Sequence, residues 1–238
     1  MTDLTFRSDF TVELEGYMGS DTQIANVARV STRGMGVRCH TEVTEKDRGL
    51  LNMLMRDRHG TPWESGVLQF YIEAPIFVTR EFFRHRIASY NEASSRYKEM
   101  EPVFYVPDPQ VRPLRQIGKP GAYTFEMAEG NQDLFVRHSH VKAAKVAWKE
   151  YQSMLELGVA REVARNVLPL SLYSSFYVTL NLRSLFNFLS LRRVTDYTTV
   201  PTFPLFEIAE VAAQMEGYAA SIFPVAMELF NEHGRVSP

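Results

Sequence analysis

From Ser174 to Leu182 apolar and polar side chains alternate without a break: Phe176, Val178, Leu180 and Leu182 fall on one side, Ser175, Tyr177, Thr179 and Asn181 on the other. Alternation at period two is the geometry of a strand with one buried face. Straight after it the chain switches to helical spacing from Arg183 to about Arg192. A strand running directly into a helix commits this region to a mixed architecture, and helical patterns dominate elsewhere. Thr44 is placed to cap a helix from Glu45 to about Asp57, with Leu50, Leu51 and Leu54 as its buried stripe. Val141, Ala144, Trp148, Tyr151 and Leu155 recur at steps of three and four and predict a long helix that ends at Gly158. A shorter helix from Ala160 stops before Pro169 and carries Arg161 and Arg165 on one side. Phe206 to Phe230 reads as a last helix kinked at Pro224. A strand and then a helix over Thr22–Val30 are expected near the start, with further strands over Val67–Ile72 and Val103–Val106. Ala74-Pro75 opens a helix running to about Arg86. Residues 108–121, rich in Pro and Gly, read as a long mobile loop. Strands scattered among dominant helices indicate an α+β fold, and 238 residues suit one domain, residues 1–238.

Charge narrows the partners. The 26 Lys+Arg and 28 Asp+Glu leave a net charge of -2, which argues against a chain that coats nucleic acid or an anionic membrane. The longest uncharged run, residues 166–182, contains Pro169 and several hydroxyls and amides, too polar and too short to span a bilayer. The N-terminus lacks a signal pattern, and the lone Cys39 excludes an internal disulfide and any site built from several thiolates. These features fit a cytoplasmic protein. Cys39, between Arg38 and His40, reads as an incidental thiol. His138 and His140 lie in the long helix without carboxylate or thiolate support, so no metal site is expected. Trp63 and Trp148 are expected in the core.

Residues 80–99 hold the chemistry. Arg84, His85 and Arg86 are consecutive, and on a helix their side chains would diverge by about 100° each. In an extended stretch Arg84 and Arg86 would share a side and His85 would face away. Either geometry calls for more than one ligand, or for a ligand and a neighbouring subunit. Glu92, Ser94 and Arg96 fall at alternate positions, which an extended backbone would present together. A guanidinium forks onto phosphate, a hydroxyl adds a hydrogen bond, and a carboxylate orders the arginines or accepts from a sugar hydroxyl. A solvated, ion-paired surface would need an apolar stripe beneath it, and here Ser89, Tyr90, Asn91, Ser94, Ser95 and Tyr97 interleave with the charges instead.

The run Arg84-His85-Arg86-x-x-Ser89-x-Asn91-Glu92-x-Ser94-x-Arg96-Tyr97 resembles the signature of the flavin-dependent thymidylate synthases. His59-x-Thr61-Pro62 lies upstream at the family's spacing. Ala164-Arg165-x-x-Leu168-Pro169, Asn181-x-Arg183-Ser184-Leu185-x-Asn187-Phe188 and Leu191-Arg192 follow in the family's order. The resemblance implies that family's helix-rich α+β domain with a small mixed or antiparallel sheet. It implies reductive methylation of dUMP to dTMP, with methylenetetrahydrofolate as one-carbon donor and NADPH-reduced FAD as reductant. It also implies a homotetramer with active sites where subunits meet. Carried onto this chain, Thr61, Arg84, His85, Arg86, Glu92, Asn181, Arg183 and Asn187 would touch FAD. Glu81, Arg84, Glu92, Ser94, Ser95, Arg96, Arg165 and Arg192 would hold the nucleotide. Arg192 would be the catalytic group, favouring ionisation of the uracil ring by its charge.

Two departures stand out. Arg192 is followed by Arg193-Val-Thr-Asp196, with Asp196 where the family usually has a histidine, and Ser65 stands where a second histidine is often found. The first of these motivates alternatives within the fold, dCMP methylation or hydroxymethyl transfer. A nucleotide-binding protein without catalysis is the alternative of a different class.

Overall fold

The computed structural model of the protein describes residues 3–33, 42–119 and 122–238. The loop expected at Gly34-Met-Gly36 and the thiol of Cys39 lie outside them. In chain order the elements are β1 (Thr5–Arg7), β2 (Thr11–Met18), α1 (Asp21–Arg33), α2 (Glu45–Arg56), a 3-10 turn (Thr61–Ser65), β3 (Val67–Pro75), α3 (Ile76–Phe82), β4 (Ser89–Glu92) and β5 (Val103–Tyr105). They continue with β6 (Arg115–Lys119), β7 (Ala122–Glu126), α4 (Gln132–Glu156), α5 (Arg161–Ala164), a second 3-10 turn (Arg165–Val167), β8 (Tyr173–Asn181), α6 (Leu182–Arg192), α7 (Phe206–Ile222) and α8 (Pro224–Glu232). The fold is α+β, and the largest sheet among the described residues has the order β2-β3-β8-β4.

The chain gathers into two compact units, each built from separate stretches. One comprises residues up to Phe10, Glu73–Glu81 and Glu92–Ser175; the other comprises Thr11–Ile72, Phe82–Asn91 and Phe176–Pro238.

In the first unit, α4 lays Ala144, Trp148 and Tyr151 against Met100, Phe104, Ala164 and Leu172. Phe104 meets Trp148 edge-on at 6.1 Å, and the Tyr151 hydroxyl accepts the Met100 N–H, so the phenol is satisfied in the core. Strands β1 and β5 pair in parallel, Phe6 opposite Phe104. Of the loop expected over residues 108–121, residues 108–114 are turn and coil, but Arg115–Lys119 is a strand that pairs antiparallel with Ala122–Glu126, and Arg115 binds both Glu126 and Glu129.

In the second unit the sequence-predicted strand face is the buried one: Phe176, Val178 and Leu180 are all inside. Trp63 is fully buried, edge-on to Phe186 at 5.6 Å, and Phe186 stacks on Phe230 at 4.7 Å. Thr44 closes a capping box with Asp47, whose carboxylate also pairs with the buried Arg29. The expected kinked helix is two helices. Its ladder ends at Ile222, because Pro224 has no N–H, and α8 restarts with Pro224 at its first position. Asp21 caps that restart, accepting from Val225 N at 2.9 Å and Ala226 N at 3.0 Å.

Candidate active site

Helix α3 stops at Phe82 rather than continuing to Arg86, and the chain turns, with His85 N–H on the Phe82 carbonyl at 3.0 Å. Arg84, His85 and Arg86 therefore sit on neither a helix nor a strand, which resolves the problem of aiming consecutive side chains. The turn is held from below by Tyr90. Its hydroxyl donates to the His85 carbonyl at 2.8 Å, and its ring packs on Phe82 and Phe83. Burial pushes the Tyr90 phenol up to about 12, so it stays a donor.

The turn separates its three charged residues. Arg84 and Arg86 are exposed and pair with none of the described residues. His85 is half-buried with its ring edge-on to Phe188 at 4.9 Å. Arg192 Nε donates to His85 Nε2 at 3.0 Å. Burial first, and then the positive charge of Arg192, hold the imidazole down to about 4, so it is neutral at physiological pH.

Around the start of α6 the candidates divide differently. Asn181, read from sequence as the polar end of a strand, is the helix N-cap: its Oδ1 accepts from Ser184 N at 2.8 Å. Arg183 and Asn187 are exposed on one face of α6. Arg183 donates through Nη1 to Glu64 at 2.7 Å and through Nε to the Pro238 carbonyl at 2.9 Å. Thr61 is exposed at the start of the 3-10 turn that also holds Glu64. The segment after Arg192 closes on itself through hydroxyls. Thr195 N donates to Thr198 Oγ1 at 2.9 Å and Thr202 Oγ1 to the Leu191 carbonyl at 2.7 Å, leaving Asp196 exposed in a turn.

The remaining candidates lie in the other unit. Glu92 ends β4, and the extended presentation expected for Glu92, Ser94 and Arg96 is broken there. Ser94 starts a turn, its carbonyl accepting from Tyr97 N at 3.1 Å and its hydroxyl from Arg96 N at 3.4 Å. The turn brings Ser95 to Arg165, whose Nη1 donates to Ser95 Oγ at 2.8 Å. Arg96 donates through Nε to Glu162 at 3.0 Å. Glu81 closes the stretch that includes α3 and is half-buried.

Sequence reasoning did not single out Glu64, Tyr90, Glu162 or Phe188 as supports. Glu162 is flanked by the noted Arg161 and Arg165, and Phe188 stands one turn before Arg192, so helical spacing was a usable signal for both. Nothing in the sequence marks Tyr90. The described residues hold no group of three or more potential metal ligands, and no helix among them is long and apolar enough to cross a membrane.

The donor set suits a phosphorylated group: Arg84 and Arg86 are exposed and have no carboxylate partner among the described residues, as cations that a diphosphate could neutralise would be. Trp63 Nε1 is buried and has no hydrogen-bond partner among the described residues.

Residues 13–225 match the family model described as thymidylate synthase complementing protein. The flavin-dependent thymidylate synthase of Streptomyces avermitilis is 48% identical, the match spanning 98% of this chain and 96% of that protein. Its counterpart from Tropheryma whipplei is 45% identical over 99% and 98%. Among solved structures, the UMP/dUMP methylase PolB from Streptomyces cacaoi bound with 5-Br dUMP superposes with a TM-score of 0.93, at 44% identity, covering 99% of this chain and 100% of that one.

Proposed function

The chain belongs to the flavin-dependent thymidylate synthase family, and from that premise we propose that it methylates C5 of dUMP to give dTMP, with FAD as its resident cofactor. Methylenetetrahydrofolate supplies the carbon and NADPH the reducing equivalents. The observation that carries this reading is the pairing of a partly buried arginine, Arg192, with a neutral imidazole, in a turn that exposes two arginines paired with none of the described residues.

The phosphate of dUMP is assigned to Arg96, Arg165, Ser94 and Ser95. Arg165 already donates to the Ser95 hydroxyl and Arg96 to a carboxylate, so both guanidinia direct donors at oxygen acceptors. Glu81 and Glu92 order these cations or accept from the sugar. Arg192 faces the uracil edge, where its charge stabilises negative charge as it develops on the ring. Arg84 and Arg86 serve the flavin diphosphate, with Thr61, His85, Glu92, Asn181, Arg183 and Asn187 as further flavin contacts. Held by these residues and reduced by NADPH, the flavin would supply the hydride for the transferred carbon. The chain works as one domain within a cytoplasmic homotetramer whose active sites lie between subunits.

A second reading, methylation of UMP as well, is favoured by the likeness to PolB bound with 5-Br UMP, at 45% identity and a TM-score of 0.91. The visible spectrum of the purified protein tests the first reading. Flavin bands that shift on adding dUMP put cofactor and nucleotide in one site. A protein that binds dUMP but takes up no FAD contradicts it, and comparison of dUMP, UMP and dCMP in the same titration ranks the bases.

A further inference from the structure

We propose that His85 is a positioning residue for Arg192: a neutral imidazole carrying its proton on Nδ1 accepts the Arg192 Nε–H at Nε2 and fixes the orientation of the guanidinium. The inference rests on the assignment of Arg192 to the base.

The hydrogen bond fixes the tautomer. Arg192 Nε has a single proton and only donates, so His85 Nε2, 3.0 Å away, is the acceptor and bears no proton. In a neutral imidazole the proton is then on Nδ1. The ring plane is set by Phe188, edge-on at 4.9 Å, which stands one helical turn before Arg192 on α6. The helix that carries the guanidinium thus also carries the wall that holds its partner. The backbone of His85 is set separately by the Tyr90 hydroxyl, 2.8 Å from the His85 carbonyl.

The test uses the flavin-loaded enzyme with His85→Phe and His85→Gln, with Arg192→Ala as control. His85→Phe keeps a ring against Phe188 and removes the acceptor. Its kcat, counted per bound flavin, is expected to fall by about 10²-fold, the cost of a misplaced catalytic group. His85→Gln offers an uncharged amide oxygen to Nε–H and is expected to recover most of that loss. In 15N-histidine-labelled wild-type protein, the resonance removed by His85→Phe is expected to be the Nδ1-protonated tautomer.

An Nε2-protonated or charged His85 at neutral pH overturns the proposal, whatever the activities. So does a His85→Phe enzyme with normal kcat, or one whose loss simply follows lost flavin. The underlying assignment fails separately: an Arg192→Ala enzyme of normal activity removes Arg192 from the chemistry while the tautomer still reports on the pair.

Discussion

Arg183 lies so close to Gly60 that a Cβ built on the glycine would stand 2.3 Å from the guanidinium carbon. The same guanidinium is held by Glu64 and by the Pro238 carbonyl. Gly60→Ala is expected to push the flexible end of Arg183 aside and break these bonds while the fold persists. With charge-assisted bonds lost, FAD affinity is expected to weaken about tenfold, read by flavin titration, with the melting temperature nearly unchanged. Unaltered flavin affinity would take Arg183 out of the cofactor site.

The Arg96–Glu162 pair makes the opposite kind of prediction. Both side chains are more than half exposed, so the bond itself is worth at most about 1 kcal/mol. Glu162 occupies a guanidinium that a phosphate would use. Glu162→Gln is expected to tighten dUMP binding by about two- to fivefold in calorimetry, and Arg96→Ala to weaken it. Weaker dUMP binding by Glu162→Gln would make the carboxylate an orienting group instead.

Asp21 is a test of stability alone. It is buried, caps α8 through two backbone N–H groups, and has its carboxyl pushed upward by desolvation. Asp21→Ala leaves those donors without an acceptor and is expected to cost about 1–2 kcal/mol in denaturant unfolding. No change in the midpoint would mean that water replaces the cap fully.

His85 sets a pH dependence whose sign follows from its environment. Its folded value, about 4, is below the ordinary 6.5, so the fold prefers the neutral ring. The charged group facing it is Arg192 on α6, with Phe188 packed beside the ring. The contribution to stability is therefore whole above pH 6.5 and is lost progressively as pH falls towards 4. NMR titration is expected to show the His85 midpoint near 4; a midpoint near 6.5 would contradict the buried pair.

Much of the fold could be read from periodicity, and the failures share a cause. The buried face of β8, the Thr44 cap and the stripe of α4 are local patterns that packing merely completes. The end of α3 is not local: the Tyr90 hydroxyl secures the turn at His85, and tyrosine at that position carries no helix-stop signal. The pairing of β6 with β7 was hidden because the Pro and Gly residues of that stretch of sequence read as loop. At the candidate site the sequence located the charged residues but not their protein partners. Asn181 spends its carbonyl on a helix cap, Arg183 is held by Glu64, and Arg96 by Glu162. Which arginine is already engaged depends on long-range contacts that a motif does not encode.

The most direct measurement is the mass of the nucleotide after the flavin-loaded protein is incubated with dUMP, methylenetetrahydrofolate and NADPH. The account predicts a product heavier by one methylene group and identical to dTMP, formed only when flavin is bound. Recovery of unchanged dUMP from assembled, flavin-loaded protein with every substrate present would contradict it.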